Sequence, residues 1–309
     1  MLIRTMTAAD IPVCAQLAHR AYLAEKAVNP ALPQADAALF SPLLQDFSSP
    51  YAYLAQQNGE ITGFLCFTPA FDGAFGSCRG VFSPLHASAF FGEDPERTFT
   101  FLISAAMAEL YRDGITSIAV CRYAHEDQTL RALALNGFGI RCSDMIAHTS
   151  PTIPPYNDLD LRPMRREDIP HVLALFDNLE EHMASAPVFM PKSKWTEEKL
   201  ASLGEKLLVA CIDSNPIAAT LLGHDGETYL DELPHVTHIG STYCHPDFRG
   251  RGVMSALIQY ASARAHAQGF THLGVDCETL NPPAFHFWKK HFQPFTYSAV
   301  RRLDERLLP

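Results

Sequence analysis

The hydrophobic pattern of this chain changes period several times, and it does so in the same order twice. Ile3-Arg4-Thr5-Met6 reads as a short strand, and Thr7-Ala8-Ala9-Asp10-Ile11-Pro12 as a helix start with Thr7 at the N-cap and Asp10 at the capping-box position. Tyr51 to Gln56 and Ile61 to Phe67 alternate about Asn58-Gly59, which predicts a hairpin. An apolar strand from Gly80 to Pro84, a long helix from Glu96 to Arg112 ending at Asp113-Gly114, and a second apolar strand from Ile115 to Cys121 follow. A short helix and an aromatic strand start at Asn136-Gly137-Phe138 complete the series.

The second half repeats it. Leu161-Arg162-Pro163-Met164-Arg165-Arg166-Glu167-Asp168-Ile169-Pro170 matches the opening at a constant offset, with Arg, Met, Asp, Ile and Pro identical. Leu207 to Ile212 and Ile217 to Leu222 flank a turn at Asp213-Ser214-Asn215-Pro216. Val236 to Pro246 is the next strand, Val253 to Gln268 the long helix with Gly269 behind it, and His272 to Cys277 the apolar strand before Lys290-His291-Phe292. Each half therefore predicts strand, helix, hairpin, strand, helix, strand, helix, strand: an α/β fold, a mixed sheet with helices on both faces, present as two tandem copies. Three prolines between Thr149 and Asp158 predict a stiff linker, so the expected division is 1–148, a 149–158 linker and 159–309.

Composition narrows the function classes. At 309 residues the chain is about twice a typical domain length. Hydrophobic residues at 47% and charged ones at 19% describe a globular protein with core to spare, and no apolar run is long enough for a membrane helix. Without a signal-like leader the expected location is cytoplasmic. The net charge of −10 argues against a nucleic-acid binder. Eight dispersed cysteines without a C-x-x-C pair read as reduced packing residues, and the fourteen histidines show no metal-ligand spacing, so no metal is expected.

The chemistry concentrates in His245-Pro246-Asp247-Phe248-Arg249-Gly250-Arg251-Gly252-Val253-Met254, between a strand and a helix. Two glycines and two arginines in four positions let the backbone turn tightly and present several N–H groups, and the helix that follows adds its positive end, so a phosphate group would bind there. The corresponding stretch of the first half, Ser83-Pro84-Leu85-His86-Ala87-Ser88-Ala89-Phe90-Phe91-Gly92, has one glycine and no arginine. It cannot cradle a diphosphate in that way. The first copy is expected to be degenerate.

The loop, together with Asn281-Pro282-Pro283-Ala284-Phe285-His286-Phe287-Trp288-Lys289-Lys290-His291-Phe292, resembles the GNAT superfamily of acyl-CoA-dependent N-acyltransferases. The second half matches throughout; the first matches in element order and in Asn136-Gly137-Phe138. The resemblance implies acetyl-CoA or another short acyl-CoA as co-substrate, with Arg249, Gly250, Arg251, Gly252, Val253 and Met254 at its pyrophosphate. It places Thr242, Tyr243 and Cys244 along the pantetheine arm, and Asn281, Phe285 and Trp288 beside the cofactor. An extended pantetheine amide chain would add to an open sheet edge as a strand does. Met254 stands where the family prefers Gly or Ala, and Trp288 replaces the tail tyrosine that protonates the leaving thiolate. Tyr297 or Tyr243 are the alternatives for that acid. Amine attack on a thioester needs a neutral nucleophile, hence a general base. Glu278 and Asp276 flank Cys277 on one strand face, and Glu278 is the first candidate, with His238 second. Asn178, Glu180, Glu181 and His182 are expected to face the acceptor.

These readings imply N-acetyl or short-acyl transfer to a small-molecule or peptide amine through a ternary complex, with no nucleic acid or membrane partner and the oligomeric state open. The alternative is a non-catalytic acyl-CoA-binding regulatory or interaction module.

Overall fold

The computed structural model describes every residue except 46, 48, 49, 75, 77, 154, 156, 157, 224, 225, 308 and 309. The expected linker therefore includes Pro154, Tyr156 and Asn157, which lie outside the described residues. The chain opens with β1 (Leu2–Thr5), α1 (Ile11–Val28) and α2 (Phe40–Gln45), followed by the hairpin β2 (Ala52–Gln57) and β3 (Glu60–Cys66). Next come β4 (Phe71–Asp72), β5 (Arg79–Ser83), β6 (Ser88–Phe90), α3 (Pro95–Arg112), β7 (Ser117–Tyr123), α4 (Asp127–Leu135) and β8 (Gly139–His148). The second series is β9 (Asp160–Pro163), α5 (Ile169–Ala184), α6 (Glu197–Leu203), β10 (Leu207–Ile212), β11 (Asn215–Leu222) and β12 (Val236–Cys244). It continues through α7 (Val253–Ala267), β13 (His272–Glu278), α8 (Pro282–Trp288), β14 (Gln293–Pro294) and β15 (Thr296–Arg302). Every element predicted from the two hydrophobic series is present. Both hairpin turns use left-handed residues, Asn58-Gly59 in one and Asp213-Ser214 in the other.

The chain forms two compact units, Met1–Asp144 with Pro294–Pro309, and Met145–Gln293. The break falls inside β8, a few residues before the expected 148, and the C-terminal segment is counted with the first unit. The reason lies in strand pairing. β15 runs antiparallel to β7 from Thr296↔Tyr123 to Arg302↔Ser117, and Thr296 Oγ1 accepts from the Asp144 N–H at 2.9 Å. Met145 is instead buried in the core of the second unit with Leu208, Leu257 and Leu273.

In the second unit the sheet order is β9-β10-β11-β12-β13, antiparallel except for β12 and β13, which are parallel. Alternation divides its side chains between two cores. Leu208, Ala210, Ala218 and Leu222 pack with Val253, Leu257 and Ala261 of α7; Leu207, Val209, Ala219 and Leu221 pack with Val172, Leu175 and Phe176 of α5. Helices on both faces bury the sheet as the sequence predicts.

Three of the five residues identical between the halves, Arg, Asp and Pro, build one device used twice. Asp10 accepts from both terminal nitrogens of Arg4, at 2.8 and 2.7 Å, and from the Thr7 N–H at 2.8 Å; Asp168 accepts from Arg162 at 2.5 and 3.0 Å and from the Arg165 N–H at 2.6 Å. One carboxylate thus caps the helix start and ties it to the preceding strand, with Pro12 and Pro170 supplying the pre-set φ of the first turn. The Arg4 hydrogen bonds hold the Asp10 carboxyl well below the usual carboxylate range. Burial alone would raise Asp168, but Arg162 and the Arg165 N–H outweigh it and lower that carboxyl as well.

The Arg162 side chain is 9% exposed and that of Arg4 34%, so losing the carboxylate strands a buried cation only in the second unit. Asp168→Ala is expected to cost about 3 kcal/mol in denaturant unfolding, and Asp10→Ala about 1 kcal/mol. Both carboxyls titrate below their ordinary value, so each contribution is present above that value and disappears as pH falls through the folded-state value. Equal losses for the two substitutions would contradict this account.

Candidate functional site

The parallel ladder between β12 and β13 extends only from Val236↔His272 to Ile239↔Val275. Beyond it, Gly240 to Cys244 and Asp276 to Glu278 continue as strands without a shared ladder. Against β11, Leu222 pairs with Ile239 but Thr220 pairs with Thr242, so β12 carries one extra residue at Gly240-Ser241. Such a bulge bends a strand and increases its twist. Thr242 Oγ1 donates to the Gly240 carbonyl at 2.9 Å and lies 2.6 Å from Thr220 Oγ1, which pins the bulge. A wedge opens between the two strands, with polar backbone along the β12 side.

The predicted loop stands at the end of that wedge. The His245 N–H donates to the Ile217 carbonyl at 2.9 Å, and Pro246–Phe248 form one 3₁₀ turn. Gly250 and Gly252 have φ of 74° and 80°, in the left-handed region, and a Cβ at either would meet open space. Glycine is required there by conformation. Gly252 is the N-cap of α7, so the first-turn N–H groups of that helix point out of the turn beside exposed Arg249 and Arg251. Arg249 folds back so that its Nε donates to the Cys244 carbonyl at 3.0 Å and its guanidinium lies over the Tyr243 ring. Arg251 lies over Phe248. Val253 is buried against the sheet, and Met254 is half-buried against the same core. Ser255, one turn into α7, meets His291 Nε2 at 3.1 Å, which anchors the helix start to the end of α8.

Across the wedge, Cys277 is buried among the residues that pack on α7, while Asp276 and Glu278 lie on the other sheet face with His238. Burial pushes the Cys277 thiol up to about 12 and raises that of Cys244, so neither is a thiolate nucleophile near neutrality. Asn281 is buried at the N-cap of α8; its N–H donates to the Glu278 carbonyl at 3.0 Å, and its Oδ1 lies 3.3 Å from His182 Nε2. That contact brings the end of α5 to the wedge. Glu180 and Glu181 have other work. Glu180 accepts from the Ser193 N–H at 2.6 Å and from Trp195 Nε1 at 3.1 Å, and Glu181 pairs with Lys192, so the two hold the segment before α6 against α5. Asn178 is exposed on α5. Phe285 is half-buried and Trp288 is 6% exposed within the α7-side core. Tyr297 lies on β15 in the first unit, where burial and the charge of Glu25 raise its hydroxyl.

Two carboxylates that the sequence reading did not single out belong to this face. Asp231 and Glu227 come from the β11–β12 connection, which carries no periodic signal. Glu227 is solvent-accessible, yet the surrounding protein dehydrates its carboxyl and the charges of Asp276, Glu278 and Asp231 repel it, so it is pushed up to about 7. A concavity of about 370 Å³, lined by Glu205, Lys206, Asp231, Val236, Gln268 and Phe270 among others, lies at the opposite end of β12 from the glycine turn. Among the described residues no group of three or more His, Cys, Asp or Glu could hold a metal ion, and no helix is long and apolar enough to cross a membrane.

In the first unit the equivalent ladder, β5 with β7, runs from Gly80↔Ser117 to Ser83↔Val120. The chain after it turns back as β6, antiparallel to β3. Arg122, fully buried, donates to the Ser88 carbonyl at 2.5 Å and to Ser88 Oγ at 2.8 Å. The start of α3 is capped by Asp94, which accepts from the Arg97 N–H at 2.8 Å. One left-handed glycine, Gly92 at φ 101°, precedes it, with no arginine beside it and no second glycine at the cap.

Residues 175–292 match the Acetyltransferase (GNAT) family. A GCN5-related N-acetyltransferase of Sphaerobacter thermophilus is similar in structure, with a TM-score of 0.58 at 16% identity, over 97% of this chain and 95% of that one. A glucosamine N-acetyltransferase region of a fungal multi-domain β-N-acetylglucosaminidase aligns with a TM-score of 0.53 at 13% identity, over 97% of this chain and 38% of that one. No curated protein matches the chain significantly in sequence.

Glu227 provides a direct check of the electrostatics on this face. A carboxyl raised in the folded state contributes stability that is present below its ordinary value and is lost as pH rises through about 7. Glu227→Gln should therefore gain in melting temperature relative to the parent between pH 5 and pH 8. A constant difference across that range would show that the Glu227 carboxyl is neither dehydrated nor repelled by its neighbours.

Proposed function

From a chain whose second unit carries a domain of the acetyltransferase (GNAT) family, we propose that this unit transfers an acetyl or other short acyl group from CoA to an amine. One observation carries the reading: the β12–β13 ladder ends at Ile239↔Val275, and β12 runs on into a left-handed glycine turn that caps α7. The wedge offers unpaired strand backbone to an extended amide chain, and the turn offers N–H groups and two arginines to a diphosphate. Thr242, Tyr243 and Cys244 line the first; Arg249 to Met254 form the second. Asn281, at the buried start of α8, borders the wedge, with Phe285 and Trp288 packing behind it.

In the reaction the amine nitrogen bonds to the thioester carbon, the C–S bond breaks, CoA leaves as thiolate, and the nitrogen gives up a proton to a base. Glu278 and His238 remain the candidates for that base, both on the sheet face away from α7. Backbone N–H near Cys244 would stabilise the oxyanion. For the thiolate, Tyr243 is the candidate acid within the second unit. CoA thiol is a tolerable leaving group without it.

Calorimetry with acetyl-CoA, followed by thiol release against a panel of primary amines, tests the assignment. Gly252→Ala places a side chain at φ 80°, a strain of about 1–2 kcal/mol, so acetyl-CoA affinity should fall roughly tenfold. Glu278→Gln should lower turnover and leave that affinity intact. Binding of acetyl-CoA with no turnover on any amine would instead favour a binding or regulatory module. Absence of binding would remove both readings.

A further inference from the structure

The Asp231 side chain is 4% exposed, and among the described residues its hydrogen bonds come from one side. The Thr228 N–H, at 3.1 Å, and Thr228 Oγ1, at 2.7 Å, both donate to Oδ2. Oδ1 points the other way, 3.9 Å from Nε2 of His238, whose side chain is 2% exposed. On the opposite edge of that ring, Nδ1 lies 3.9 Å from Oδ1 of Asp276, a carboxylate 36% exposed and the first β13 residue past the end of the ladder. These are ion-pair separations, longer than direct hydrogen bonds. The three side chains form a line from a buried carboxylate, through the imidazole, to a carboxylate at the wedge.

Two glycines make room for that line. A Cβ at Gly274 would fall 2.7 Å from His238 Cδ2 and 2.8 Å from Asp231 Oδ1, and one at Gly226 would fall 2.1 Å from Asp231 Cγ. Neither glycine has a positive φ, so the backbone does not require glycine at either place. Gly274 sits inside a strand, directly opposite His238, where glycine weakens the sheet. Space for the Asp231 and His238 side chains is what these positions provide. A carboxylate that served only to close the turn from Thr228 to Asp231 would not require clearance on its other oxygen.

We propose that Asp231 is a positioning residue that orients His238 and keeps a proton on its Nε2 edge, so that Nδ1 presents a lone pair toward Asp276 and the wedge. The buried carboxylate acts in a lower dielectric than the solvated Asp276 and therefore decides which ring nitrogen carries the proton. Resting on the acyl-transfer reading, this makes His238 the proton store: the amine proton passes by way of Asp276 to Nδ1 as the N–C bond forms and the C–S bond breaks. The imidazolium is then flanked by two carboxylates and returns the proton to the departing thiolate. Among the described residues, Glu227, from the connection between β11 and β12, and Glu278, from β13, add further carboxylates whose charges couple to Asp231 and Asp276.

Asp231→Asn keeps the shape and an oxygen for the Thr228 bonds while removing the charge. With acetyl-CoA and the best amine of the panel, kcat should fall on the order of 100-fold while KM for acetyl-CoA stays within about twofold. The ¹⁵N resonances of the His238 ring, recorded on the intact chain, should lose the Nε2-protonated pattern. Thr228→Val, which removes one of the two bonds to Asp231, should shift the same resonances in the same direction by a smaller amount, and it replaces Asp231→Asn if that variant does not fold. Ring resonances and kcat unchanged in the folded variants would overturn the proposal. Acetyl-CoA failing to bind the parent chain would overturn the acyl-transfer reading instead, and the ring resonances alone would then decide whether Asp231 orients His238.

Discussion

The second unit depends on a parallel ladder that stops early. Four residue pairs join β12 to β13, and then an extra residue in β12 bends it away, held by Thr220, Thr242 and the Gly240 carbonyl. Everything with chemical potential is placed by that divergence. Asp276 is the first residue beyond it on one strand, the bulge lies at the same level on the other, and the continuing β12 delivers its end to the glycine turn. A full-length ladder would satisfy the same backbone groups internally and leave nothing for an extended ligand to pair with.

The first unit shows the same divergence put to another use. Its ladder also ends after four pairs, but the following segment folds back to pair with β3, and fully buried Arg122 bonds to it through Ser88. Because a buried guanidinium without acceptors is costly, Arg122 and the Ser88 carbonyl stabilise the closed arrangement together. The contrast between a filled space and an open one rests on a few residues after the strand: Pro84-Leu85-His86-Ala87-Ser88 in one unit, Arg249-Gly250-Arg251-Gly252 in the other.

Periodic signals carried most of the fold into the sequence reading. The hairpins, the long helices and the strands around them are all spelled out by alternation or by the helical period, and the glycine turn is spelled out by composition. The break between units was not legible, because which strand β15 lies against is decided by pairing along Ser117–Tyr123, and nothing in Thr296–Arg302 names its partner. Asp231 and Glu227 were not legible either. They sit in an irregular connection, and their importance comes from what β13 brings opposite them. Glu180 illustrates the reverse error: a carboxylate at a helix end near the wedge looks acceptor-facing until Trp195 and Ser193 are seen to occupy it.

The two halves also separate the residues that make the fold from those that make the site. Three of the five identities between them, Arg4 with Arg162, Asp10 with Asp168 and Pro12 with Pro170, serve one helix start, where a carboxylate caps the first turn and grips an arginine of the preceding strand. That device is independent of any ligand, so both copies can keep it. The positions where the halves differ most are those after the ladder ends, where one copy must satisfy its own backbone and the other leaves backbone available. Internal repetition in this chain therefore marks structure, and the failure of repetition, at Cys244 to Met254, marks the chemistry.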